Sequence, residues 1–152
     1  MSKMDVRQLM ISIHALTQFP RYSRKVRKIF EHGFNLLANQ VEENARQIMA
    51  GNHGEGVIKG LAANDIAQCI ADFSTMRLHD VTPLLRLERA WLLSNSHFLK
   101  HMTLFDLNLI IQSHVDQRLS IGPYLDAAAK RLIQNGGRMP EKSAANFLHA
   151  IA

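Results

Sequence analysis

Cysteine is nearly absent: Cys69 is the only one in 152 residues, and one thiol cannot close an internal disulfide. That usage suits a reducing compartment. No stretch of about 18 residues is free of charge, which excludes a membrane span. No run alternates apolar and polar residues as a half-buried strand would, so no sheet is expected. Acidic residues are missing between Asp5 and Glu31, whereas Arg7, Arg21, Arg24, Lys25, Arg27 and Lys28 fall there. An organellar transit peptide has that bias. The same residues take part in the repeat described below, however, and a cleaved leader has no reason to match a repeat. Folded structure is therefore expected from the start of the chain. Met1 to Met10 carries no long apolar core, so no secretory signal is read there.

Catalytic and metal-binding patterns are lacking too. His97 and His101 are four apart and can share a helical face, but no HExxH pattern occurs and further ligands are not evident. The glycine-rich GNHGEG, Gly51 to Gly56, has no following Lys-Ser/Thr and no preceding strand, so it reads as a connection rather than a phosphate loop. Asp72 with Asp80, and Glu42 with Glu43, read as solvated helix surface. The histidines read as surface or core-edge residues, and Cys69 as a core residue at a repeat position otherwise held by Leu9, Ile110 and Phe147. No enzyme activity, cofactor or metal is expected.

What is present is apolar content of 47% and a formal charge of +5, with a pI near 9.7. The first supports a globular core. The second suits an anionic partner, nucleic acid being the commonest, although basic proteins of a mitochondrial matrix share it.

An internal repeat organises the chain. DIAQCIADFSTMRL from Asp65 aligns with DLNLIIQSHVDQRL from Asp106, 41 positions on. Cys69-Ile70 matches Ile110-Ile111, Phe73 matches His114, Arg77 matches Arg118, and Leu78 matches Leu119. Weaker copies begin at Asp5 (Val6, Leu9, Met10, Ile13) and at Ser143 (Ala144, Phe147, Leu148, Ile151). Apolar residues at these steps make one broad helical face. Asp at the start serves as an N-cap or first-turn residue, and Ser143 can cap equally well. Each helix A is followed by a helix B. Pro83 and Pro123 fit first turns, where a missing N–H is tolerated. The spacing predicts helices from about Pro83 to Leu93 and from Pro123 to Gln134, the latter ended by Gly136-Gly137. In the first unit Pro20 breaks the chain and Ser23 caps a long helix to about Met49, with Val26, Ile29, Phe30, Phe34, Leu37 and Val41 as its apolar positions. The expected fold is all-α: an α-solenoid of three helix-turn-helix repeats plus a partial fourth. It forms one domain over 1–152, with units at about 4–60, 61–102, 103–140 and 141–152 and an insertion at about 40–60.

Recurring basic residues suggest where such a solenoid works. Arg77 and Arg118 hold one repeat position, and equal positions form a row that can follow a phosphate backbone. Arg21 falls near the same corner of the first unit. Arg24, Lys25, Arg27 and Lys28 open a helix, where cations oppose the dipole unless an anion is nearby. Arg86, Arg89, Lys130 and Arg131 give the other B helices a basic edge. Solvated charges and C-cap partners are the plainer alternative. Trp91 belongs with Leu84, Leu87 and Ala90 in the core. Tyr22 and Tyr124, at turns, are expected to be more open and could stack on bases, as could Phe98 and Phe105. Phe147, Leu148 and Ile151 lie on a last helix A without its helix B, an apolar face that another subunit could cover.

The turn after helix A, Leu78 to Pro83, has a Leu-x-x-x-x-Pro form, and Leu119 to Pro123 repeats it one residue shorter. With paired apolar residues in helix A and a period of 37 to 41 residues, the chain resembles octotricopeptide and heptatricopeptide repeat proteins and the helical leader of FAST-kinase-like proteins. That resemblance implies a mitochondrial protein acting on RNA, in processing, editing or ribosome assembly. The expected partners are single-stranded or ribosomal RNA and other subunits of a ribonucleoprotein. A scaffold of a large mitochondrial assembly with no direct RNA contact is the alternative.

Overall fold

A computed structural model of the protein describes residues 4–19, 23–51, 62–94, 99, 102–134, 141, 144–145 and 148–149. Helix α1 spans Val6–Leu16, α2 Arg24–Met49, α3 Ala63–Met76, α4 Thr82–Ser94, α5 Leu104–Asp116 and α6 Gly122–Gln134. The fold is all-α, with no strand among the described residues. Pro20, Tyr22, residues 52–60, His97, Phe98, His101 and Gly136-Gly137 lie outside the described residues, as do three of the candidate contact residues, Arg21, Phe147 and Ile151.

Short-range chemistry sets the helix ends. Asp5 caps α1, accepting from the Gln8 N–H at 2.8 Å while the Gln8 side chain accepts from the Asp5 N–H at 3.0 Å. Ser23 caps α2, as its position before the periodic stretch predicts. Asp65 and Asp106 act one turn further in. Each sits at the third helical position and takes a backbone N–H from the cap residue, Ala62 at 2.9 Å and Thr103 at 3.2 Å. Thr103 returns the bond by accepting from the Asp106 N–H at 3.1 Å, which Ala62 cannot do. These pairings satisfy donors that a helix start leaves orphaned.

The helix A ends share a less expected device. Arg77 and Arg118 both adopt left-handed backbone, with φ of 49° and 57°. At Arg118 the N–H donates to the Val115 carbonyl at 3.0 Å and the next N–H, of Leu119, donates to His114 at 2.8 Å. This is the Schellman pattern, which normally favours glycine. A non-glycine residue there carries roughly 1–2 kcal/mol of strain, so the two equivalent arginines hold an unfavourable conformation at the same step.

Helix pairing follows the repeat in part: the A helices α1, α3 and α5 pack in series, whereas α3 and α4, the A and B helices of the second unit, are not a closely packed pair. Helix α1 packs on α2 and on α3, α2 on α4, α3 on α5, and α5 on α6. His14 reaches Asp72, and Ser74 reaches the Ser113 carbonyl. The C-terminal ends of α1, α3 and α5 therefore lie side by side. Ile70 and Ile111, equivalent in the repeat, are both fully buried. Phe30, Phe34 and Phe73 form an aromatic core between α2 and α3, with Phe34 and Phe73 edge-on at 4.7 Å between centroids. Trp91, Leu84 and Leu87 bury α4. Each large side chain so buried contributes about 1.5–3 kcal/mol. Ile29 departs from the predicted face: it is 54% exposed, while Phe30, Phe34, Leu37, Ala38, Val41 and Ala45 form the packed stripe.

Gly33 lies inside α2, where glycine lowers helix stability by about 0.5–1 kcal/mol relative to alanine. A Cβ there would meet Ile13 Cγ1 at 3.5 Å, an ordinary contact. Gly33→Ala is expected to raise unfolding free energy by about 0.5–1 kcal/mol, read by urea titration followed by circular dichroism.

Candidate nucleic-acid interface

The basic residues divide into those that hold the fold and those left at the surface. Arg86, on α4, grips α2: its Nε and Nη2 donate to Glu42 at 3.0 and 2.6 Å, and Nη2 also donates to Asn39 Oδ1 at 2.6 Å. The guanidinium fork holds the Glu42 carboxyl below its ordinary range. A residue so engaged is poorly free for a phosphate. Arg131 donates from Nε to the Met102 carbonyl at 3.1 Å. Arg27 donates from Nη2 to the Arg77 carbonyl at 3.0 Å. These three candidates are committed at least in part to internal bonds.

Arg24, Lys25, Lys28, Arg77, Arg89, Arg118 and Lys130 are exposed. Among the described residues their side chains make no hydrogen bond or ion pair. The Arg27 bond has a consequence for this set. It ties the first turns of α2, which carry Arg24, Lys25 and Lys28, to the left-handed corner at Arg77. Two basic groups 50 positions apart in the chain thus meet at one end of the molecule. No acidic residue lies in the first turn of α2, so the positive helix end and its cations act with the same sign toward an anion. Lys130, in contrast, sits near the far end of α6, away from the turn that carries Arg118.

A cleft of about 840 Å³ adjoins this corner. The ends of α3 and α5 form it, through Ser74, Thr75, Gln112, Ser113, Asp116 and Gln117, with Arg77 and His79 contributed by the turn. Leu148, the described member of the candidate partner face, is 62% exposed. Phe105 is exposed as well, at 68%.

Several sequence expectations change. Tyr124 is only 3% exposed, not open at a turn, and its hydroxyl donates to Glu88 Oε1 at 2.6 Å. Burial, and then the Glu88 charge, push that hydroxyl's pKa up. Glu88 also meets His114 Nε2 at 2.7 Å, and His114 Nδ1 lies 2.9 Å from the Ile110 carbonyl. His114 is a core residue, 2% exposed, deeper than the surface or core-edge place expected of the histidines. A carbonyl only accepts, so in the His114–Ile110 bond Nδ1 is the donor. Asp72 is buried, not solvated. It bonds His14 Nδ1 at 3.0 Å and Gln68 Nε2 at 2.9 Å. Burial raises its carboxyl above the usual range, against those two bonds. Glu42 is a partner of Arg86 rather than a free surface carboxylate. Cys69 is buried, and burial raises its thiol pKa, which disfavours the nucleophilic thiolate.

Among the described residues no three His, Cys, Asp or Glu side chains gather as metal ligands, and no helix is long and apolar enough to cross a membrane. Comparison of this chain with protein-family profiles, with curated proteins and with solved structures gave no match.

Proposed function

We propose that this chain is a non-catalytic RNA-binding subunit of an organellar ribonucleoprotein, built as an α-solenoid of helix-turn-helix modules. The carrying observation is the meeting of the exposed Arg24, Lys25 and Lys28 with Arg77 at one corner. The parallel ends of α1, α3 and α5 extend that edge to Arg118. Arginine and lysine spaced along such an edge suit a single-stranded backbone, which offers one phosphate per nucleotide. The mitochondrial setting follows from the repeat resemblance and the basic composition, as does a role in RNA processing, editing or ribosome assembly.

Fluorescence anisotropy with single-stranded RNA at several salt concentrations tests this reading. Affinity is expected to fall with salt, and Lys28→Ala with Arg118→Ala to lower the logarithmic salt slope by about 0.7 per lost contact. Both side chains are exposed, and position 118 keeps a non-glycine residue in the same backbone conformation, so melting should move little. Salt-independent binding, or no binding, would remove the proposal.

A scaffold role is the second reading, favoured by the exposure of Leu148 and Phe105 together. There the apolar side chains would meet another protein subunit, and the alanine pair would leave that association intact.

A further inference from the structure

We propose that the cleft between the C-terminal ends of α3 and α5 is a guanine-base site, filled in the proposed function by one unstacked base of single-stranded RNA. The polymer context rests on the RNA reading above; the base site is tested separately from it. At about 840 Å³ the cleft falls within the size range of small-ligand sites.

The hydrogen-bonding capacity of its walls is uneven. Four of the lining donors are already used on backbone carbonyls: Thr75 Oγ1 on Ala71 at 2.9 Å, Ser74 Oγ on Ser113 at 3.5 Å, Ser113 Oγ on Leu109 at 2.7 Å, and Gln117 Nε2 on Ser113 at 3.2 Å. What remains open to a ligand is an acceptor, the Asp116 carboxylate. Asp116 is exposed at the mouth, with one carboxylate oxygen taking the Gln112 amide at 3.2 Å.

A ligand complementary to these walls presents adjacent donors to the Asp116 carboxylate and accepting atoms to the Arg77 guanidinium. Guanine does both. Its Watson–Crick edge carries N1–H beside N2–H₂, two neighbouring donors that match a carboxylate. Its O6 and N7 accept a guanidinium fork, and Arg77 stands at the rim with its guanidinium unpaired among the described residues. Adenine, cytosine and uracil each offer donors from one atom only on the pairing edge. The planar His79 side chain can also stack on a splayed base. The basic first turns of α2, tied to Arg77 through Arg27, draw the adjoining phosphates to the same mouth.

The test is a ¹H–¹⁵N NMR titration of the full chain with GMP, AMP, CMP and UMP in turn. GMP is expected to move the Gln112 and Gln117 side-chain amides and the Arg77 backbone amide. It should bind about tenfold or more tightly than AMP, the discrimination of a bidentate contact. Asp116→Asn, at an exposed position, should keep the dispersed spectrum and lose the preference. Equal response to AMP and GMP, an unchanged preference in Asp116→Asn, or shifts confined to other residues would each overturn the site. GMP selection by a chain that binds no RNA would instead leave the base site standing and overturn the proposed function.

Discussion

Ile70→Asp and Ile111→Asp are each expected to abolish the cooperative thermal transition. Both side chains are fully buried, on α3 and α5, at equivalent steps of the repeat. An aspartate there has no cation or donor built to receive it, and an unpaired buried charge is among the few changes that exceed about 4–5 kcal/mol. The whole stability of a domain this size is about 5–15 kcal/mol, so little folded protein should remain at room temperature. Circular dichroism at the helix band, followed through heating, reads the result. Ile29→Asp sharpens the comparison. Ile29 lies on the sequence-predicted face of α2, yet it is 54% exposed, so its replacement should change stability by no more than about 0.5 kcal/mol. A cooperative transition retained in Ile70→Asp, or lost in Ile29→Asp, would contradict the packing described here.

The contrast between Ile70 and Ile29 shows how far local pattern reaches. Period and capping residues carry the helix boundaries because both act within a few positions. Ser23 before the periodic stretch marks the start of α2, and Asp5, Asp65 and Asp106 mark the first turns of the A helices. The stripe itself is less sharply defined. Ile29 and Leu36, seven apart, lie beside the packed stripe of α2 and are both substantially exposed. Apolarity alone does not say which side of a long helix its neighbours cover.

Pairings between distant polar residues were not legible at all. Asp72 with His14 joins positions 58 apart, and Arg86 with Glu42 joins positions 44 apart. Each residue taken singly has the composition of a solvated helix surface. The commitment of Arg86, Arg27 and Arg131 to internal bonds is of the same kind, since it depends on which helix lies opposite. The left-handed turns at Arg77 and Arg118 had a signal that passed for something else. The repeated Arg-Leu step marks the end of helix A, where a glycine would be the ordinary reading of such a turn. Recurrence singled out the arginines as surface groups without revealing their backbone. The cleft beside them depends on α3 and α5 running the same way, which the repeat implies, and on side-chain commitments that it does not.

The buried polar group shared by α4, α5 and α6 should respond to substitution in two opposite ways. Glu88→Ala is expected to destabilise the protein by about 3–5 kcal/mol, because it leaves a buried His114 and Tyr124 without their common acceptor. Tyr124→Phe removes one donor and keeps the His114–Glu88 pair, so about 1 kcal/mol is expected. Replacing all three together, with Glu88→Leu, His114→Phe and Tyr124→Phe, should be neutral or stabilising, since the desolvation of the pair disappears with its attraction. The repeat itself supports that substitution: Phe73 occupies in α3 the step that His114 occupies in α5, and both are buried. Urea unfolding of the single, double and triple variants separates the cost of an orphaned partner from the net worth of the network. A triple variant as unstable as Glu88→Ala would show that the three groups stabilise the junction of α4, α5 and α6 outright. Recovery in the triple variant would show that they select this packing among apolar alternatives of similar energy.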